Sequence, residues 1–190
     1  MAPLLRSDTQ GRLLAGLYLF PDRERTASQL AHDAETSLPT VLRELDRMVP
    51  MGYLMERFSG RNRYIRVNQE HPLYAPVAEI LRYSYGPVAV IPGLLIPIPG
   101  IEEAYVYGSW AARLTGEVGS DPHDVDVIVV GSPDRQAIFE AAGRGSSALG
   151  RELSIRVVSR SAWDAGDSAF LRTVQARPLV PLPLHETDAG

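Results

Sequence analysis

The stretch YGSWAARLTGEVGSDPHDVDVIVVG, residues 107–131, decides how the second half of this chain is read. A Gly-Ser pair opens a helix-like run, a loop follows, and Asp-Val-Asp then heads a strand of Val and Ile. Side chains at i and i+2 of a strand share a face. Asp124 and Asp126 therefore project together, and Val125 and Val127 turn the other way. Two carboxylates so close repel each other, and burial worsens the repulsion. A divalent cation relieves it, because Mg²⁺ prefers oxygen ligands and keeps waters and phosphate oxygens as its remaining ligands. Gly108 and Ser109 are the place for those phosphates: glycine lets the backbone approach closely, amides at a helix start point at anions, and the Ser109 hydroxyl adds a bond. A phosphate cradle and a metal-binding pair on neighbouring strands are the minimum apparatus for nucleotidyl transfer, in which metals bridge phosphates, neutralise charge and align an attacking hydroxyl. The competing reading is structural, a strand entry solvated by two acids beside an ordinary helix start.

Around this stretch strand and helix alternate. IEEAYVYG (101–108) precedes the helix from Ser109, and VDVIVVG (125–131) precedes a helix in PDRQAIFEAAGRG (133–145). RELSIRVVS (151–159) follows as a strand, then a short helix in DSAFLRTVQA (167–176) and the apolar PLVPLPL (178–184). This order predicts an α/β sheet covered by helices. In RELSIRVVS, alternation puts Glu152, Ser154 and Arg156 on one face and Leu153, Ile155 and Val157 on the other. Arg113, one helical turn past Ser109, is a candidate phosphate contact or a partner for Glu117. His123 beside Asp124 reads as incidental. Tyr107 and Trp110 could stack a base, but core packing suits them better. Trp163 reads as a packing anchor, with Ser161 and Asp164 as a helix cap.

Gly108-Ser109, fourteen residues and Asp124-Val125-Asp126 resemble the signature of the DNA polymerase beta-like nucleotidyltransferase superfamily in its minimal form. GSWAARLTGEVG…DVDVIVVG resembles in particular the bacterial proteins that join an ArsR-like winged helix to such a domain. The resemblance implies a short mixed sheet, a nucleoside triphosphate at Gly108 and Ser109, and Mg²⁺ on Asp124 and Asp126 as the catalytic acids. Two departures stand out. LTGEVGSDPH (114–123) is inserted as a flexible loop, longer than in many minimal members. Active members also usually bring a third carboxylate from a later strand, to complete a second metal site and help activate the hydroxyl. Glu152 is the candidate for that third catalytic and metal-binding role. If it does not reach the pair, Arg156 puts a base where an acid is wanted, which suits nucleotide binding better than catalysis.

The first half reads as helices and then a hairpin. DTQGRLLAGLYLF (8–20) has helical spacing with Ser7 or Asp8 as cap, TASQLAHDAE (26–35) is a short helix capped by Thr26, and SLPTVLRELDRMVPMG (37–52) carries Leu38, Val41, Leu42, Leu45 and Met48 on one stripe. YLMERFSGRNRYIRV (53–67) alternates about Ser-Gly-Arg-Asn, a hairpin signal. Helix, short helix, turn, helix, hairpin is the order of a winged helix-turn-helix. Its recognition helix would offer Thr40, Arg43 and Arg47 to double-stranded DNA, and its hairpin tip Arg61 and Arg63. The plainer alternative is a small helical domain with a solvated charged face. HPLYAPVAEILRYSYG (71–86) is expected to be a linking helix that seals a domain junction or dimer seam, or simply packs on the first domain. GPVAVIPGLLIPIPG (86–100), broken by four prolines, is expected to be a packed connector.

The whole is 190 residues, 45% hydrophobic and 22% charged, with a net charge of −4 and no Cys. Ten Arg against nine acids leave residues 1–70 at +1, and nine Arg against fourteen acids leave 71–190 at −5. An acidic whole argues against a general polyanion binder, while Arg clusters on one face still suit DNA. The absence of Cys excludes disulfides and thiol metal sites. The start MAPLLRSDTQGR lacks the apolar run of a signal peptide, so the expected compartment is the cytoplasm, without membrane insertion. The expected organisation is α+β / α/β: a winged helix-turn-helix over 1–70, a linking helix and Pro-rich connector over 71–100, and a small mixed-sheet nucleotidyltransferase-like domain over 101–190. A homodimer is expected if the first domain reads a palindrome. Function divides three ways: transfer of NMP to a hydroxyl of a protein, RNA or small molecule; a regulator that only senses nucleotide; or an antitoxin-like interaction module.

Overall fold

The computed structural model describes residues 5–117 and 122–184. It is a mixed α and β chain with two small sheets, which divides into two compact units between Gly86 and Pro87.

In the first unit, α1 (Asp8–Tyr18) starts at Ser7, whose hydroxyl accepts from the Gln10 amide. A two-residue strand, β1 (Arg25–Thr26), leads into α2 (Ala27–Asp33), where Thr26 and Gln29 form a reciprocal capping box. Ser37 caps α3 (Leu38–Met48), with proline in the first turn, where its missing N–H costs nothing. The hairpin of β2 (Leu54–Ser59) and β3 (Asn62–Val67) is antiparallel, and β1 adds to the outer side of β3 to give the order β1-β3-β2. Residue pattern does not foretell the pairing of β1, because two residues carry no periodicity. Leu13, Leu17, Leu30, Val41, Leu45 and Ile65 are almost wholly buried and form the core. Each such side chain contributes roughly 1.5–3 kcal/mol by leaving water.

The helix expected as a linker is α4 (Tyr74–Tyr85), and it packs on α1 within this unit. Ala78 and Leu81 are buried in the same core, Tyr74 stacks on Tyr18 with ring centroids 5.7 Å apart, and the Tyr85 hydroxyl donates to Asp8 at 3.1 Å. The two helices meet so closely that Tyr85 leaves no room for a Cβ at Gly11.

In the second unit the expected connector is instead a helix, α5 (Pro87–Leu95), with Pro92 inside it. Pro87 supplies the fixed φ of a helix start, and the turn that loses its hydrogen bond at Pro92 is held by the burial of Ile91, Pro92 and Leu95. Then follow β4 (Ile101–Tyr107), α6 (Gly108–Leu114), β5 (Asp124–Gly131), α7 (Arg135–Leu149), β6 (Glu152–Val158), α8 (Arg160–Ala165), α9 (Ala169–Gln175) and β7 (Val180–Pro181). Residues 118–121 of the expected long loop lie outside the described residues. The cap of α8 is Ser159 rather than Ser161, and Asp164 pairs with Arg160 at 3.6 Å. The sheet order is β6-β5-β4-β7, with β5 parallel to β6 and antiparallel to β4. On one face Val125, Val127, Val129 and Leu153 pack with Ile91, Trp110 and Ile138. On the other, Ile128 and Val130 pack with Trp163, Leu171 and Val174. Among the described residues no helix is long and apolar enough to cross a membrane.

Candidate functional site

The quoted stretch builds one edge-to-edge arrangement. β4 ends at Tyr107, paired with Asp126 of β5, and the chain turns at Gly108 into α6. Gly108 has φ +70°, and a Cβ there would lie 3.0 Å from Asp126 Oδ2. Left-handed backbone and the close carboxylate both reserve the position for glycine. No side chain caps α6, unlike the Ser, Thr and Asp caps of α1, α2, α3, α7, α8 and α9, so its first amides have no side-chain acceptor. Ser109 is exposed at this turn.

Asp124 and Asp126 share a face of β5, with Asp124 exposed and Asp126 half-buried. Burial pushes the Asp126 carboxyl above its ordinary range; Asp124 adds to the rise, Arg156 opposes it, and Glu152 adds a little more. Parallel register sets Glu152 opposite Asp124, Ser154 opposite Asp126 and Arg156 opposite Ile128, so all of them face the same side. Yet among the described residues no three His, Asp or Glu side chains form a group that could hold a metal ion together, and Glu152 lies at the exposed start of β6. Arg156 lies over the Phe170 ring, its Cζ 4.3 Å from the centroid, and Tyr107 meets the same ring edge-on at 6.0 Å. Burial, helped by Asp126, pushes the Tyr107 hydroxyl up, and Arg156 pulls it back. Two carboxylates of hard oxygen beside an uncapped helix start fit one Mg²⁺ that keeps waters and ligand oxygens.

Arg113 does not aim at this turn. Its Nη1 donates to the Glu117 backbone carbonyl, closing the end of α6 on itself. Trp110 is 2% exposed and belongs to the core, and His123 is exposed. Arg151 is a residue that the sequence reading missed. It is buried, its guanidinium lies 5.1 Å from the Trp110 ring centroid, and it donates to the Pro122 carbonyl two residues before Asp124. It thus ties the entry of β5 to α6. Arginine directly after Gly150, at a strand start, carries no signal of burial.

In the first unit, Arg43 and Arg47 are exposed on α3, and Thr40 accepts from Arg43 Nη2 at 3.3 Å while meeting the Ser37 hydroxyl at 2.9 Å. Arg61 is exposed at the hairpin turn, and among the described residues neither it nor Arg47 makes an ion pair. Arg63 is spoken for: it pairs with Asp46 of α3 at 2.7 Å and Glu56 of β2 at 2.6 Å, with 17% of its side chain exposed. It fastens hairpin to helix, and so does not stand free for a phosphate. Arg57 is likewise held by Glu24 at 2.5 Å and stacked on Tyr64.

No family model matches the chain, and no curated protein or solved structure matches it.

Proposed function

We propose that the second unit binds a nucleoside triphosphate with Mg²⁺, and that the first is a winged helix-turn-helix that binds double-stranded DNA, making the chain a nucleotide-responsive transcription regulator of the nucleotidyltransferase-like kind. The observation that carries the reading is the Asp126 carboxylate pressed against the Gly108 turn, with Asp124 on the same face. Asp124 and Asp126 would hold the cation, which supplies positive charge to the phosphates. The Gly108 and Ser109 amides and the Ser109 hydroxyl would take the phosphate oxygens. In the first unit Arg43, Arg47 and Arg61 supply the free cations for DNA phosphates and base edges, and a two-fold operator would call for a homodimer.

Calorimetric titration with ATP, GTP, CTP and UTP, with and without Mg²⁺, tests the site. Binding that needs Mg²⁺ and is abolished by Asp124→Ala with Asp126→Ala, in a folded protein, is the expected result; no heat from any triphosphate would remove the reading. For DNA, Arg43→Ala and Arg61→Ala should each weaken promoter retardation and lower the salt slope by about 1 for every phosphate no longer neutralised.

NMP transfer is the second reading, and Glu152 favours it, standing opposite Asp124 on the same face of the sheet. Incorporation of label from α-labelled triphosphates into cell extract, abolished in Glu152→Gln, would establish transfer in place of sensing.

A further inference from the structure

Three carboxylates and one arginine share the open face of the four-stranded sheet: Asp124, Asp126, Glu152 and Arg156. Among the described residues Arg156 forms an ion pair with none of them. Its guanidinium lies over Phe170 instead, at 4.3 Å, and Phe170 is held edge-on by Tyr107 at 6.0 Å. Stacking fixes the plane of the guanidinium, and the Tyr107 hydroxyl takes one hydrogen bond from it; the remaining N–H groups of the fork are the ones a phosphate can meet.

Resting on the proposed nucleotide reading, we infer that Arg156, seated on Phe170, acts as a fixed cation beside the Asp pair, so that this face takes one divalent cation together with a ligand of at least two adjacent phosphates, one group on the metal and the next on Arg156. Three negative side chains against one positive repel a bare anion, so the ligand arrives as its metal complex. Arg156 is opposite Ile128, two residues along the strand from Asp126 and one strand over. Between backbone positions that is about 7 Å along the strand and about 5 Å across, and the Arg156 charge acts on the Asp126 carboxyl. The Asp-bound cation and the guanidinium are two separate positive groups, and a diphosphate or triphosphate has a phosphate for each.

The test is calorimetry on the full chain with three probes: MgCl₂ alone, magnesium tripolyphosphate, and orthophosphate with Mg²⁺. Wild-type protein is expected to take one Mg²⁺ per chain and to bind tripolyphosphate far more tightly than orthophosphate. Arg156→Ala is expected to weaken tripolyphosphate binding ~10- to 100-fold, the range for one charge-assisted bidentate contact, and to keep its Mg²⁺. Arg156→Lys, which keeps charge without the fork, and Phe170→Leu, which removes the seat, should fall between. Arg156 is exposed, so an unchanged melting temperature shows that its variants fold. Tripolyphosphate affinity unaltered in Arg156→Ala, orthophosphate binding as tight as tripolyphosphate, or two Mg²⁺ per wild-type chain would each overturn the inference and leave the Asp-pair site standing. No Mg²⁺ bound by the wild type would overturn both.

Discussion

The two faces of the four-stranded sheet are built from alternate residues of the same strands, and they are finished in opposite ways. The face of Val125, Val127 and Val129 is sealed along its length by α5, α6 and α7. The face of Asp124, Asp126 and Ile128 is covered by α8 and α9 only around Ile128 and Val130. Where that cover stops the side chains become acidic, and the one arginine opposite them is stacked on the last aromatic ring of the cover, Phe170. A single strand, β5, thus carries core and candidate site two residues apart. The sealed face gives stability, and the open end of the other gives some of it up to hold like charges together.

The most severe way to break this asymmetry is to give the sealed face the chemistry of the open one. Val127→Asp puts a carboxylate where exposure is 0%, with no partner, and should cost about 3–5 kcal/mol or more, the scale of an uncompensated buried charge. Thermal unfolding should show loss of the second unit's transition and retention of the first. Gly108→Ala tests the turn between strand and helix. It forces a side chain into left-handed backbone and against Asp126, so about 1–2 kcal/mol of destabilisation is expected, read by denaturant midpoint at constant slope.

Asp126→Asn is the mildest change and has the opposite sign. The Asp126 pKa is raised in the folded chain, so ionising it opposes folding. Wild-type stability should fall as pH rises through the ordinary Asp value near ~4 and on through the raised folded value. Below that window both states hold the proton, and wild type and Asn variant should melt alike once allowance is made for the amide. Above it, without Mg²⁺, the Asn variant should melt slightly higher. Under the proposed function added Mg²⁺ raises the wild type and leaves the variant where it was.

Much of this architecture can be read from residue order, because the elements are local. Ser7, Thr26 and Ser37 announce their helices, and alternation gives β5 and β6 the correct faces, including the shared side of Glu152 and Arg156. What escapes is whatever depends on partners distant in sequence. The pairing of β1 with β3 needs the hairpin in place first, and α4 joins the first unit because Gly11 admits Tyr85 closely. Four prolines suggest a packed connector over 86–100 rather than a helix, yet burial of Ile91 and Leu95 outweighs one missing hydrogen bond and Pro87–Leu95 is helical. The same holds at the sites. Asp124, Asp126 and Gly108 are legible as a motif, but Arg63 looks like a free cation until Asp46 and Glu56 are seen to engage it, and for Arg113 the sequence leaves phosphate and Glu117 as alternatives until its bond to the Glu117 carbonyl is seen. Arg151 looks like any surface arginine until Trp110 is found beneath it.

Both tryptophans of the chain fall in the second unit, one on each side of its sheet: Trp110 in the sealed layer under Arg151, Trp163 in the partial layer stacked on Tyr105 at 5.5 Å. Selectively excited indole emission therefore follows this unit alone, while the first unit, which has no tryptophan, is silent in that channel. Replacing Trp110 with Phe leaves a single fluorophore on the side that carries the acids. Its signal would separate the melting of one half of the molecule from the other, and under the proposed function it offers a label-free readout for a polyphosphate beside Phe170.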